Sequence, residues 1–295
     1  MAVSGSRRRR LSLLGLVAAM GEGTISVTFW GVRGSIACAG PDTARYGGNT
    51  ACVEMHCGGR RLIFDAGTGI RPLGREMAAE AGQPIDLFFS HTHLDHVVGL
   101  PFFAPAMIAG RHLTLWAGHL LPGRTLEGAL RHMMTPPLFP VPVDIFAAEL
   151  AFRDFRAGET LRPDPAITVR TAALPHPDGA TGYRVEHGGR AVAYVTDLEH
   201  REGVRDAAVV DLVRDADILI YDATYTDAEF PARVGWGHST WQEALRIADA
   251  GRVGQVVIFH HDPSHDDAFM DAIATAAEAQ RPGTLVAREG MTITT

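Results

Sequence analysis

The chain has 295 residues, 46% of them hydrophobic and 21% charged, the make-up of a globular protein with a sizeable core rather than of a disordered chain, a collagen or a coiled coil. Its 27 basic and 34 acidic residues leave a formal charge of −7, and four of the basic ones are Arg7, Arg8, Arg9 and Arg10 in a leading stretch without an acid, so the body is acidic and ill suited to an extended nucleic-acid footprint. Every basic residue is arginine, which excludes a lysine Schiff base or a P-loop, and Cys38, Cys52 and Cys57 are too few and wrongly spaced for a disulfide framework or a zinc knuckle.

In chain order, the arginine run is followed by a mainly apolar stretch at 11–20, too short to span a bilayer. It has the look of a secretory n-region and h-region, or of sequence ahead of the functional start at Met20. We take the second reading: residues 1–19 an extension, residues 20–295 one domain, and a cytoplasmic protein with reduced thiols. Strand patterns follow at 25–30, 50–56, 61–65, 85–90, 112–117, 167–173, 181–187, 191–196, 217–221 and 255–260. Cys57-Gly58-Gly59-Arg60 and His187-Gly188-Gly189-Arg190 read as hairpin turns. Helical patterns fall at 72–81, 97–109, 124–134, 203–214, 241–250 and 267–280. Thr240 and Glu243 form a capping-box pattern before the fifth, and Gly251 reads as its stop. Segment 120–165 is irregular and proline-rich, either a surface crossover or an apolar wall over a site. Hairpins first, then alternating strands and helices, predict mixed sheets with helices packed outside.

The chemistry begins where the apolar run 85–90 ends in His91-Thr92-His93-Leu94-Asp95-His96. Three imidazoles and a carboxylate in six residues at a strand end are costly unless paired or metal-bound. His91 and His93 share one face of an extended segment and suit one ion; Asp95 and His96, past the turn, can reach a second. Imidazole with carboxylate fits Zn²⁺, with Mn²⁺ or Fe²⁺ as alternatives.

Phe64-Asp65-Ala66-Gly67-Thr68-Gly69 followed by the histidine motif resembles the metallo-β-lactamase superfamily of binuclear metallohydrolases. His176 in Leu174-Pro175-His176-Pro177, Asp197 after the strand 191–196 and His260 after the strand 255–259 stand in the family's order. The resemblance implies an α/β (α+β) fold, a four-layer αββα sandwich with metals at the strand ends. It implies His91, His93 and His176 on one ion, Asp95, His96 and His260 on the other, and Asp197 as the bridge. His261 competes with His260 on spacing alone, and Asp65 is expected to orient loops rather than to bind metal.

Asp222-Ala223-Thr224-Tyr225 and Gly237-His238-Ser239-Thr240 resemble paired motifs of the ribonuclease Z-like phosphodiesterase branch, in which the histidine assists the phosphate or leaving oxygen and the acid orients it. An imidazole beside a helix N-terminus fits such a role. Ribonuclease Z enzymes carry a long tRNA-holding arm between the third-motif histidine and the bridging aspartate. Here twenty residues separate His176 from Asp197, room for two strands and a turn, which disfavours tRNA processing.

These features imply a binuclear phosphodiesterase acting on a small or cyclic phosphodiester, with Asp95, His238 and Asp222 as catalytic residues. Asp95 would double as the base orienting the attacking water. The alternatives are hydrolysis of a thioester, lactone or other carboxylic ester, which leaves Asp222 and His238 idle, and a non-catalytic binding protein on the same fold. The partner expected is a small-molecule phosphodiester, with no membrane span and a homodimer as the assembly to test. In the Gly-rich opening loop, Arg33, Arg45 and Asn49 are candidate substrate contacts.

Overall fold

The computed structural model describes residues 23–79 and 82–295. The expected 1–19 extension and the start at Met20 lie outside those residues. Fourteen strands among them form two seven-stranded sheets. The first runs β14 (Thr292–Thr294), β1 (Ile25–Gly31), β2 (Cys52–Cys57), β3 (Arg60–Phe64), β4 (Ile85–Phe89), β5 (His112–Ala117), β6 (Glu149–Asp154). The second runs β13 (Leu285–Val286), β12 (Gln255–Phe259), β11 (Ile218–Asp222), β10 (Arg190–Val195), β9 (Ala180–His187), β8 (Ile167–Leu174), β7 (Thr160–Asp164). Each sheet is antiparallel where hairpins join its strands and parallel where helices do. The two expected Gly-Gly turns close β2–β3 and β9–β10, with Gly58, Gly188 and Gly189 at positive φ.

Three apolar clusters make the layers. Between the sheets, Phe64 stacks on Phe88 at 5.2 Å and packs against Tyr183 and Tyr194 at 5.5 Å each. Outside the first sheet lie α1 (Ile70–Met77), a four-residue α2 (Leu94–Val97) and α3 (Leu126–Met133). Outside the second lie α4 (Ala207–Val213), α5 (Trp241–Gly251) and α6 (Asp267–Gln280). The expected four-layer αββα sandwich is the observed architecture. Strands β4 and β11 are buried along their whole length, as central strands with both faces covered must be.

Several expectations are corrected. The pattern 97–109 is no continuous helix: α2 stops at Val97, and two 3₁₀ turns, Leu100–Phe102 and Ala104–Met107, follow, because Pro101 and Pro105 donate no backbone hydrogen bond. Segment 120–165 holds α3, β6 and β7; both strands are edge strands whose half-exposed residues hid the alternation. Thr240 caps α5 by accepting from Glu243 N at 3.0 Å, but the Glu243 carboxylate pairs with Arg246 instead of closing the box. Gly251 is inside that helix, and the left-handed residue that ends it is Arg252. Among the described residues no helix is long and apolar enough to cross a membrane.

Candidate metal centre

Three residues that directly follow or nearly follow parallel strands take left-handed backbone conformations: Asp65 (φ 62), Asp197 (φ 56) and His260 (φ 63). Each conformation costs roughly 1 kcal/mol for a residue with a Cβ. Hydrogen bonds hold them. Asp65 Oδ1 accepts from Ser90 N at 2.7 Å, and its Oδ2 accepts from Ser90 Oγ, Tyr194 OH and His96 Nδ1 at 2.8–2.9 Å. Thr224 Oγ1 lies 2.9 Å from the His260 carbonyl and 3.0 Å from its Nδ1. Strand order thus brings residues far apart in sequence to one edge between the sheets.

There the donor atoms form two adjoining groups: His91, His93 and His176, and Asp95, His96, Asp197 and His260, the atoms within each group lying within 4.8 Å of one another. His176 Nε2 lies 3.1 Å from His93 Nδ1, while its other nitrogen donates to the Gly237 carbonyl at 2.7 Å. Asp197 stands between the groups, Oδ1 3.8 Å from His91 Nε2 and Oδ2 3.2 and 3.4 Å from the Nε2 atoms of His96 and His260. Asp95 Oδ2 is 3.2 Å from His96 Nε2 and 3.3 Å from His260 Nε2, and accepts from Ser35 N at 2.8 Å. His261 points elsewhere: its Nε2 donates to the Ala287 carbonyl, and burial pushes its pKa down to about 3. Gly34 faces the ring of His260 so closely that a Cβ there would sit 2.4 Å from it.

The donor chemistry fits a cation. His96 gives its Nδ1 hydrogen to Asp65, and His260 gives its own to Thr224, whose single hydroxyl hydrogen is used on Asp222 at 2.7 Å. Both Nε2 lone pairs then face each other at 3.3 Å, with the oxygens of Asp95 and Asp197 beside them. Such a ring of acceptors is repulsive without a positive centre. Without an ion a proton serves: burial would lower the His96 pKa, but Asp197, Asp95 and Asp65 hold it well above the imidazole range. Burial would likewise raise Asp95, yet His96 and His260 keep it far below the usual carboxylate range. His91 is the converse case. Burial and then His96 push its pKa well down, and its buried Nε2 has no hydrogen-bond partner, a lone pair held for a ligand.

Asp222, His238, Asp197 and His260 make a third group, overlapping the second. His238 Nδ1 lies 3.0 Å from Asp222 Oδ2 and 3.7 Å from Asp197 Oδ1. Burial works against its charge, but Asp222 carries its pKa up to about 9. The Asp222 oxygens are already filled by Leu198 N, Thr224 N, Thr224 Oγ1 and His238, so this pair is satisfied by hydrogen bonds as His91 is not. His238 Nε2 makes no hydrogen bond within the described residues. Sequence reasoning missed Glu199, whose carboxylate accepts from Gly235 N at 2.7 Å and Gly237 N at 2.9 Å and so fixes the loop bearing His238; no residue pattern signals it.

The three loop contacts proposed from the sequence are corrected. Arg33 is fully buried and donates to the carbonyls of Gly47, Asp262 and His265; Arg45 pairs with Asp267 and Asp271; Asn49 is held by Glu289. All three brace the loop. A cavity of about 560 Å³ opens beside His176, and one of about 880 Å³ reaches Thr92 and Leu94. Leu120, Leu130, Met133 and Phe139 line the latter, so segment 120–165 is a wall near the centre.

The model of the β-lactamase superfamily domain matches residues 60–261. The chain belongs to that family. Ribonuclease Z of Bradyrhizobium sp. (strain ORS 278) is 28% identical over 281 residues, covering 80% of this chain and 90% of that one. The crystal structure of a diphosphatase from the PhnP family superposes with a TM-score of 0.66 at 18% identity, covering 92% of this chain and 97% of its own. Human tRNase Z, short form, gives 0.61 at 22% identity, covering 91% and 98%. This β-lactamase superfamily member has the metallo-β-lactamase fold of those structures, and its His/Asp clusters suit divalent metal ions.

Proposed function

We propose that the protein is a binuclear phosphodiesterase acting on a small or cyclic phosphodiester. The observation that carries this reading is the Asp222–His238 pair, hydrogen-bonded at 3.0 Å beside the donor cluster with His238 Nε2 unengaged. His91, His93 and His176 would hold one divalent ion, Asp95, His96 and His260 the other, with Asp197 shared; imidazole and carboxylate donors favour Zn²⁺. Such ions supply Lewis-acid polarisation of the phosphoryl oxygens and an acidified water. Asp222 fixes the His238 tautomer with the proton on Nδ1 and favours the doubly protonated ring, which donates from Nε2 to the departing oxygen. Asp95, anchored by Ser35 N, orients the nucleophile. A small substrate is supported by the β9–β10 connection, a tight turn at Gly188 and Gly189 with no arm, and by the acidic chain, although the relatives matched include ribonuclease Z.

The test is elemental analysis combined with a panel of cyclic nucleotides, aryl and alkyl phosphodiesters, lactones and thioesters. His238→Ala should keep its metals and lose roughly two to three orders of magnitude in kcat on an alkyl or ribose diester. The loss should shrink on bis(p-nitrophenyl) phosphate, whose leaving group departs without a proton. Intact activity of this variant on a lactone or thioester, with none in the wild type on any diester, would move the protein to carboxylic-ester hydrolysis.

A further inference from the structure

The cavity of about 880 Å³ opens on the histidine motif itself. Thr92 lies between His91 and His93, Leu94 lies between His93 and Asp95, and both line the cavity, so whatever fills it ends within one residue of His91, His93 and Asp95. Its size falls in the range of ligand pockets, about 300–1,000 Å³. The buried part of the wall includes Val97, Leu120 and Leu130. Towards solvent the apolar wall continues: Leu94 is 67% exposed, Phe102 57% and Leu138 82%. Phe102 meets Phe139 edge-on at 6.2 Å, and Met133 lines the same wall. The polar side chains in the lining are Thr92, Arg124, Thr125 and His132. Three of them are already engaged: Thr92 Oγ1 lies 3.1 Å from His119 Nε2, Arg124 donates to Asp178 at 3.2 Å, and Thr125 Oγ1 accepts from Gly128 N at 3.1 Å. His132 is exposed. A sugar or a base entering this cavity would give up hydrogen bonds to water and find few partners in return. A hydrocarbon group gives up none and gains by leaving water. Because the lining includes the residues between the donors, the occupant is a group covalently joined to what the metals bind.

We propose that this cavity is the subsite for one ester arm of the substrate and that the arm is a hydrocarbon group, so that the substrate class is a phosphodiester of one large apolar alcohol. This specificity rests on the phosphodiesterase reading, and Phe102, Met133, Leu138 and Phe139 determine it. Two series test it on the metal-loaded protein. In calorimetry with n-alkyl phosphates from methyl to hexyl, Kd should fall about two- to fourfold per methylene, the scale of burying one CH₂. The phosphate of diethylene glycol, as long as hexyl phosphate but polar, should bind no better than methyl phosphate. In n-alkyl p-nitrophenyl phosphates the leaving group is constant, and kcat/KM should rise with the alkyl arm in the same way. Leu138→Asp and Phe102→Ala alter side chains that are more than half exposed, so the fold should hold, and each should cut the hexyl-over-methyl ratio about fivefold. A flat series in both measurements would overturn the subsite. So would a steep series that neither variant flattens, because the chain would then lie elsewhere. Diesters hydrolysed at rates indifferent to the arm would leave the phosphodiesterase reading in place and overturn this specificity. Should the wild type hydrolyse no diester while alkyl phosphate binding still follows chain length and both variants flatten it, the apolar subsite would stand without that reading. A flat series together with a dimer that Leu138→Asp dissociates would assign the surface to a second copy of this chain and overturn the proposal.

Discussion

The His91–His93–His176 group and the Asp95–His96–Asp197–His260 group share one strip of sheet edge but are built differently. In the first, three imidazoles supply the donors, His93 is exposed and His176 partly so. In the second every residue is buried and two carboxylates contribute. His96 and His260 are each fixed through Nδ1 by a buried partner, Asp65 and Thr224, whereas His176 is fixed only by a loop carbonyl, that of Gly237. Charge and burial make the second group the one that demands a cation even before substrate arrives. The first is open to solvent and adjoins both cavities. The difference predicts unequal affinities, with one ion held firmly by the buried group and one more loosely by the open group.

The most drastic way to break that contrast is to remove what the groups share. Asp197→Ala should take the metal content from about two ions per chain to nearly none, and lower turnover by roughly three orders of magnitude or more. Elemental analysis after gel filtration measures the first and diester hydrolysis the second. A variant that keeps one ion would show the buried group to be sufficient alone. One that keeps both would remove Asp197 from the centre altogether.

A milder substitution acts on the buried group only. Asp65→Asn leaves a side chain that tolerates the left-handed backbone at φ 62 but removes the charge that orients His96. Chelator competition should show the tighter ion weakened by about 10–100-fold, the usual cost of losing a partner behind a metal-binding histidine, with the looser ion little changed. Weakening of the looser ion instead would invert the assignment of the two affinities.

What the sequence makes legible here follows from where residues sit relative to strands. His91, Asp197, Asp222 and His260 each come at or just beyond the end of an apolar strand, so convergence at one sheet edge could be inferred from chain order. Burial was not legible. Arg33 sits in a loop among glycines and reads as a phosphate contact, yet its guanidinium is spent on three backbone carbonyls. Helix length misled at 97–109, where apolar residues continue past Pro101 and Pro105 but backbone donors do not. Strands β6, β7, β13 and β14 were missed because edge and short strands take their stability from a neighbour's backbone rather than from a pattern of their own. Glu199 could not be foreseen, since its partners are two backbone N–H groups in a loop 36 and 38 residues away.

The smallest expected effect probes the open group through the carbonyl that holds His176. Gly237 has φ +86, and a Cβ there would lie 2.5 Å from His176 Nδ1 and 2.5 Å from Pro177 Cδ. Gly237→Ala must therefore strain the loop and displace His176, because neither the imidazole held by the Gly237 carbonyl nor the proline ring beside it can yield freely. Stability should fall by about 1–2 kcal/mol, read as a lower Tm. The looser ion should weaken several-fold in chelator competition while the tighter one stays in place, since no atom of the buried group is among the three nearest a Cβ at Gly237. His176→Ala serves as the reference, removing the same donor outright without straining the loop. If Gly237→Ala lowers Tm but leaves both affinities unchanged, the carbonyl bond to His176 does not set the open group's geometry, and the looser ion is held by His91 and His93 alone. If the tighter ion weakens in step, the two groups are mechanically coupled through Asp197 and the contrast between them is one of exposure only.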